Sequence, residues 1–281
     1  MNPGNHMKRR EFLKTSLTAS TLAGLGAAGL PATAGAAPDT SREYYELRAY
    51  RLKAGASHDL LEAYLERAAI PAWNRLGLGP IGIFSQQERK APPTSTEVVD
   101  SSVIFALIPH PSLASFSTVG ERLDADAEYQ KIGAEYLATP KASPAFERID
   151  SWLLLAFARM PKIEQPAYSR EKKPRLLEMR TYESYSEVKA LKKVAMFNDG
   201  EIQTMRETGL GPVFYGQTLI GPALPHLTYM LSAESEEAHQ QHWADFKKHP
   251  VWNKLSNDPQ YADTVSKITN RFLAPKPYSQ I

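Results

Sequence analysis

The sequence predicts an α+β fold: two tandem ferredoxin-like βαββαβ units closing an intramolecular, pseudo-dimeric α+β barrel. Three observations predict it. The run Tyr44-Tyr45-Glu46-Leu47-Arg48-Ala49-Tyr50 returns as Leu176-Leu177-Glu178-Met179-Arg180-Thr181-Tyr182, 132 positions later. Gly77-Leu78-Gly79-Pro80 recurs as Gly209-Leu210-Gly211-Pro212 at the same spacing, the mark of a tandem duplication. Between these anchors the apolar period switches from strand to helix and back in the same order in each half. A four-stranded sheet with helices on one face leaves its other face open. Two such units in one chain can bury those faces against each other.

In the first unit Tyr44 to Leu52 reads as a strand rich in aromatic residues, with Gly55 as turn signal. A helix follows from about Ser57, its N-cap, to Arg75, with Leu60, Leu61, Tyr64, Leu65, Ala68 and Ala69 near helical period. Gly77 and Gly79-Pro80 end it, since glycine supplies unusual backbone angles and proline sets the strand entry. Ile81 to Glu88 is then a strand, and the Pro92-Pro93 segment a connection. Val103 to Ile108 is a continuous apolar strand, His110-Pro111-Ser112 opens helical sequence to about Leu137 with a break near Leu123–Asp126, and Phe146 to Phe157 is the fourth strand.

Residues 161–174, polar and proline-bearing, read as a linker between units spanning 43–160 and 175–274. The second unit repeats the order. Strand Leu176 to Ser184, helix Glu187 to Glu207 and strands Val213 to Ile220 and His226 to Ser232 precede helical sequence from Glu234 to about Leu255, broken at His249-Pro250. Val265 to Phe272 is the last strand. Later matches fall at shorter offsets: Leu123, Asp126 and Tyr129 with Phe246, His249 and Trp252 at 123, and Pro144, Phe146 and Phe157 with Pro259, Tyr261 and Phe272 at 115. The losses lie in connections, where length changes are tolerated.

The 281 residues are 42% apolar and 23% charged, enough for proper cores. Residues 1–36 carry Lys8, Arg9, Arg10 and Lys14 against Glu11, so the formal +2 of the chain becomes about −1 without them. A near-neutral remainder makes no electrostatic case for nucleic acid or an anionic membrane. Lys8-Arg9-Arg10-Glu11-Phe12-Leu13-Lys14 resembles a twin-arginine export signal. The Ala- and Gly-rich stretch after it is too short and weak for a membrane span, and small residues near Ala32–Ala36 offer cleavage sites. The expectation is a bacterial protein handled by the twin-arginine translocase and delivered to the periplasm or beyond, with no stable membrane insertion once cleaved. The chain has no cysteine, which excludes disulfides, thiolate metal sites and Cys nucleophiles.

The strand motif at Tyr44–Tyr50, the turn Gly77-Leu78-Gly79-Pro80-Ile81-Gly82 and the helix end Phe246-Lys247-Lys248-His249-Pro250-Val251-Trp252 resemble the NIPSNAP family, part of the dimeric α+β barrel superfamily. The resemblance covers residues 43–274 and departs at Asp124–Tyr129, where an Asp-Pro-x-Trp type pattern is usual, and at His249, where Asp is usual. It implies the fold and no particular activity, because superfamily relatives include cofactor-free monooxygenases, haem-dependent enzymes and lactone isomerases. The expected function is binding of a small organic molecule in the barrel interior. The alternative is a periplasmic monooxygenase or haem-linked oxidoreductase.

Alternation puts Glu46, Arg48 and Tyr50 on one face of the first strand, and Glu178, Arg180 and Tyr182 on the same face of its copy. The apolar face suits the helices, so the Glu-Arg-Tyr face is expected to point into the barrel as paired charges, either as a pocket floor with Tyr215 and His226 or as a network setting sheet register. His239 and His242, three apart on a helix, and His249 are weak metal candidates without a third ligand at metal spacing. His226 or His249 is the candidate for haem, though nothing in the sequence requires a cofactor. The oligomeric state stays open, a homo-oligomer included.

Overall fold

The computed structural model describes residues 41–53, 58–89 and 93–281. The twin-arginine leader of residues 1–36, Gly55 and the expected cap Ser57 lie outside them. Eight strands carry the fold: β1 (Tyr44–Arg51), β2 (Gly82–Gln86), β3 (Val103–His110), β4 (Arg148–Ala156), β5 (Leu176–Glu183), β6 (Gly211–Ile220), β7 (His226–Ala233) and β8 (Lys267–Pro275). They close an antiparallel barrel in the order β1-β3-β2-β8-β5-β7-β6-β4. Each half is therefore a sheet ordered fourth, first, third, second strand. The halves join edge to edge, β2 to β8 through Phe84–Pro275, Ser85–Ala274 and Gln86–Leu273, and β4 to β6 through Leu154–Thr218 and Leu155–Gln217. Closure removes the free edges that two separate sheets would expose.

Helices α1 (Asp59–Tyr64) and α2 (Ile70–Arg75) follow β1, joined by a π-helical turn at Leu65–Ala69. In the second half α7 (Glu187–Met196) and α8 (Ile202–Glu207) flank a π-helical turn at Phe197–Glu201, 132 positions from the first. After β3 come α3 (Leu113–Asp124), α4 (Ala127–Ile132) and α5 (Ala134–Leu137). After β7 come α9 (Glu236–Lys248) and α10 (Pro250–Ser256), and a short α6 (Ala167–Arg170) lies in the linker. The caps repeat as well. Ser112 accepts from the Ser115 amide at the start of α3, and Ser235 does so from Ala238 at the start of α9. Asp126 caps α4, and at the matching position the His249 side chain accepts from the Val251 amide to cap α10.

One match read from the sequence is corrected by strand register. Trp152 stands opposite Leu47 as Arg271 stands opposite Met179, so β4 and β8 correspond at a spacing of 119 and not 115. The shift of four preserves which side chains share a face, and this is why alternation alone did not reveal it.

The orientation of β1 and β5 is also corrected. Tyr45, Leu47 and Ala49 join Phe105, Leu107, Leu154, Leu177, Met179 and Phe214 in the core inside the barrel. Tyr50 instead packs with Tyr64, Trp73, Ile83 and Tyr129 under the helices of the first half, and Tyr182 with Phe197, Met205 and Tyr229 under those of the second. The Glu-Arg-Tyr face thus looks outward at the helices. A buried carboxylate needs donors, and helix side chains supply them at adjustable heights above a sheet.

Candidate functional site

Under the helices lie two related polar networks. Glu46 receives two bonds from Arg48, Nε to Oε1 at 2.6 Å and Nη2 to Oε2 at 2.9 Å, and one from Ser151 Oγ at 3.1 Å. His110 Nε2 lies 3.8 Å from the same carboxylate, and Arg48 Nη1 donates to Tyr50 Oη at 3.4 Å. Glu178 is held by Arg180 Nη1 at 2.6 Å, and on its other oxygen by Trp243 Nε1 at 3.0 Å and His239 Nε2 at 2.9 Å. Arg180 Nε donates to Tyr182 Oη, which shares a hydrogen bond with Tyr229 Oη at 2.8 Å. Burial alone would raise both carboxyl pKa values, but His110 with Arg48 and Arg180 with His239 outweigh it, holding each at about 2. Both carboxylates are held in buried ion pairs, the second more completely, since His110 Nε2 at 3.8 Å from Glu46 makes no hydrogen bond among the described residues.

Most of the expected pocket residues therefore belong to the helix–sheet cores. Glu46, Arg48, Tyr50, Glu178, Arg180 and Tyr182 form the two networks, and Tyr215 packs between Phe157, Phe197 and Tyr229. His226 alone of the expected set lines the space inside the barrel.

That space is a cavity of about 350 Å³ where β1 and β5 end and β3, β7 and β8 begin. Its size is at the lower end for small-molecule sites, which run to about 1,000 Å³. On the second half, paired residues form rows across β7, β5 and β8: His226, Glu183 and Lys267 at the mouth, then Thr228, Thr181 and Thr269, then Met230, Met179 and Arg271. The Thr181 and Thr228 hydroxyls are 3.0 Å apart and hydrogen-bonded. The first half contributes Arg51 and Val103, then Phe105 and Asp150, then Leu47 and Trp152. Arg51 Nε pairs with Asp150 at 2.5 Å, and Lys267 with Glu183 at 3.2 Å. The loop residues Pro222 and Ala223 overhang the mouth, with the Trp152 indole donating to the Pro222 carbonyl at 3.4 Å.

The two faces of the duplication have diverged differently. Facing the helices, Glu46 and Glu178, Arg48 and Arg180, and Tyr50 and Tyr182 are identical pairs. Facing the cavity, the equivalent positions differ throughout: Ala49 and Thr181, Arg51 and Glu183, Phe105 and Thr228, Trp152 and Arg271. The motif that identified the repeat was thus the shared structural network. The cavity side was hidden because its signal is disagreement between copies, readable only with the corrected register of β8, where Lys267, Thr269 and Arg271 alternate on one face.

The histidines have structural occupations. His226 Nδ1 lies 3.1 Å from Thr218 Oγ1 and its Nε2 3.2 Å from the Pro222 carbonyl oxygen, and burial lowers its pKa. His239 is committed to Glu178, and His249 caps α10 with Nε2 3.3 Å from Glu207. His242 packs on Gly209, where an added Cβ would come within 2.7 Å of its Nε2. Both ring nitrogens of His226 are thus engaged, while His249 lies on the helical surface with Nδ1 committed to its cap. Among the described residues no group of three or more His, Asp or Glu side chains is disposed to hold a metal ion.

No curated protein matches the sequence. Among solved structures, a protein provisionally named a monooxygenase from Lactobacillus acidophilus NCFM is 9% identical over 83% of this chain and 94% of its own, with a TM-score of 0.51. Another provisionally named monooxygenase, from Fusobacterium nucleatum, is 10% identical over 84% and 93%, with a TM-score of 0.50. Both share the α+β barrel, and at such identity they show the fold alone. An uncharacterized NIPSNAP-like domain protein from Burkholderia xenovorans is 21% identical over 37% of this chain and 88% of its own, with a TM-score of 0.34. The NIPSNAP family model matches residues 177–280. The matched stretch, from β5 to the tail that follows β8, is similar to a NIPSNAP domain and forms one half of a closed α+β barrel.

Proposed function

We propose that this protein binds a small organic molecule in the barrel-end cavity, between the two halves of the duplication. The observation that carries this reading is the cavity itself: about 350 Å³, lined by equivalent positions of both copies that differ in chemistry, in a barrel otherwise filled by apolar side chains. Native mass spectrometry of protein recovered from its producing cells tests it. The expected result is a non-covalent small mass on the wild type that is lost in Thr181→Trp, which fills the cavity from the central strand β5. Equal masses on both proteins, or no mass and no response of the wild type in a ligand screen, would contradict it. The leader supports delivery by the twin-arginine translocase to the periplasm. Replacing Arg9 and Arg10 by Lys is expected to hold the protein in the cytoplasmic fraction, and unchanged fractionation would remove that part. Fold does not imply function, so the oxygenase alternative, which rests on the barrel alone, is not carried further.

A further inference from the structure

We infer that the barrel-end cavity takes a small organic monocarboxylate, its anionic group held by Arg271. This rests on the cavity being a ligand site and adds the chemical class of the ligand. Each of the other two cavity cations already has a carboxylate: Arg51 has Asp150 at 2.5 Å, and Lys267 has Glu183 at 3.2 Å. The Arg271 side chain makes no hydrogen bond or ion pair with any described residue. Its guanidinium is half-buried and lies 5.8 Å from the centre of the Phe105 ring. A guanidinium keeps its charge at any ordinary pH, so partial burial without a counter-ion in contact is unfavourable until an anion arrives. Burial and the nearby Arg51 act against the charge and outweigh the pull of Asp100, lowering the Arg271 pKa, which a carboxylate in direct contact would reverse.

The fold does not require arginine here, since the equivalent position in the first copy is Trp152. The planar fork of Arg271 suits a carboxylate, which can accept two parallel bonds. A monoanion fits better than a phosphate, because Asp100, Asp150 and Glu183 also line the cavity and would repel a second negative charge. Leu47, Met179 and Phe105 offer an apolar surface to the body of the ligand, and Thr181, Thr228 and Thr269 set a row of hydroxyls beside it. The ligand class is an apolar or aromatic acid.

Calorimetric titration of the purified protein with benzoate, benzamide and benzylamine, near neutral pH and low salt, separates the possibilities. Benzoate is expected to bind about tenfold or more tightly than either analogue, with the advantage falling to within about twofold in Arg271→Gln. Arg271→Lys, which keeps the charge but loses the fork, is expected to retain the preference for benzoate with weaker binding, and it serves if the Gln variant fails to fold. Wild-type protein binding benzamide or benzylamine as tightly as benzoate would overturn the carboxylate assignment while leaving the cavity as a ligand site. An undiminished benzoate preference in a folded Arg271→Gln would overturn the role of Arg271. No heat with any of the three at millimolar concentration would overturn both the assignment and the site.

Discussion

Arg180 and Thr181 are neighbours on β5 that look to opposite sides of the sheet, and the chemistry of the protein divides between them. Arg180 belongs to a network whose worth is structural. Glu178 without it would be a buried carboxylate short of a counter-charge, the kind of loss that costs about 3–5 kcal/mol. The two carboxylates also set an acid limit. Glu46 and Glu178 titrate at about 2 in the folded protein, below their ordinary value of 4.5. Their folded pKa values are depressed, so the stability they contribute is present in full above about pH 4.5 and lost as pH falls toward about 2. Urea unfolding at a series of pH values is expected to show the midpoint falling across that window. A midpoint constant from about pH 5 to pH 2 would contradict the paired networks.

At the scale of elements, the helix after the first strand keeps even its irregularity in both copies, since the π-helical turns at Leu65–Ala69 and Phe197–Glu201 fall at equivalent positions. They differ at one residue. The second turn is kinked at Gly200, with φ of 156°, where the first has Ala68 in helical conformation. A Cβ on Gly200 would also lie 3.0 Å from Val251 Cγ1 of α10. Gly200→Ala is therefore expected to destabilise by about 1–3 kcal/mol, where an alanine in a regular helix would have stabilised. Denaturant unfolding checks the sign, and a gain in stability would mean that the kink is not fixed by its backbone.

The order of elements was legible because strand and helix differ in apolar period, and the repeated motif showed that the order was used twice. Which face of β1 entered the barrel was not legible. Tyr45, Leu47 and Ala49 can line a helix–sheet core or a barrel interior equally well, and alternation is the same in either case. What decides it is the supply of donors: His239 and Trp243, far along the chain on α9, are what Glu178 meets. Of the cavity residues only His226 stood out in the sequence, because Thr181, Trp152 and Arg271 read as ordinary strand residues until register placed them around one space.

At the scale of the molecule, duplication within one chain frees the barrel from the symmetry that two identical halves would impose. The helix-facing networks remain alike in both copies, while the inner surface has become threonine-rich on one side and carries Phe105, Trp152 and the Arg51–Asp150 pair on the other. Closure through the β2–β8 and β4–β6 seams holds these unlike surfaces against each other, so the cavity exists only when both halves are in place. The most direct measurement compares benzoate and benzamide titrations of Thr181→Trp and Arg180→Met, two changes one residue apart. If the ligand sits inside the barrel, Thr181→Trp abolishes binding with little change in folding, and Arg180→Met lowers stability yet leaves the affinity of the folded protein unchanged. Binding that survives Thr181→Trp and disappears in a folded Arg180→Met would place the site under the helices and contradict the assignment to the barrel end.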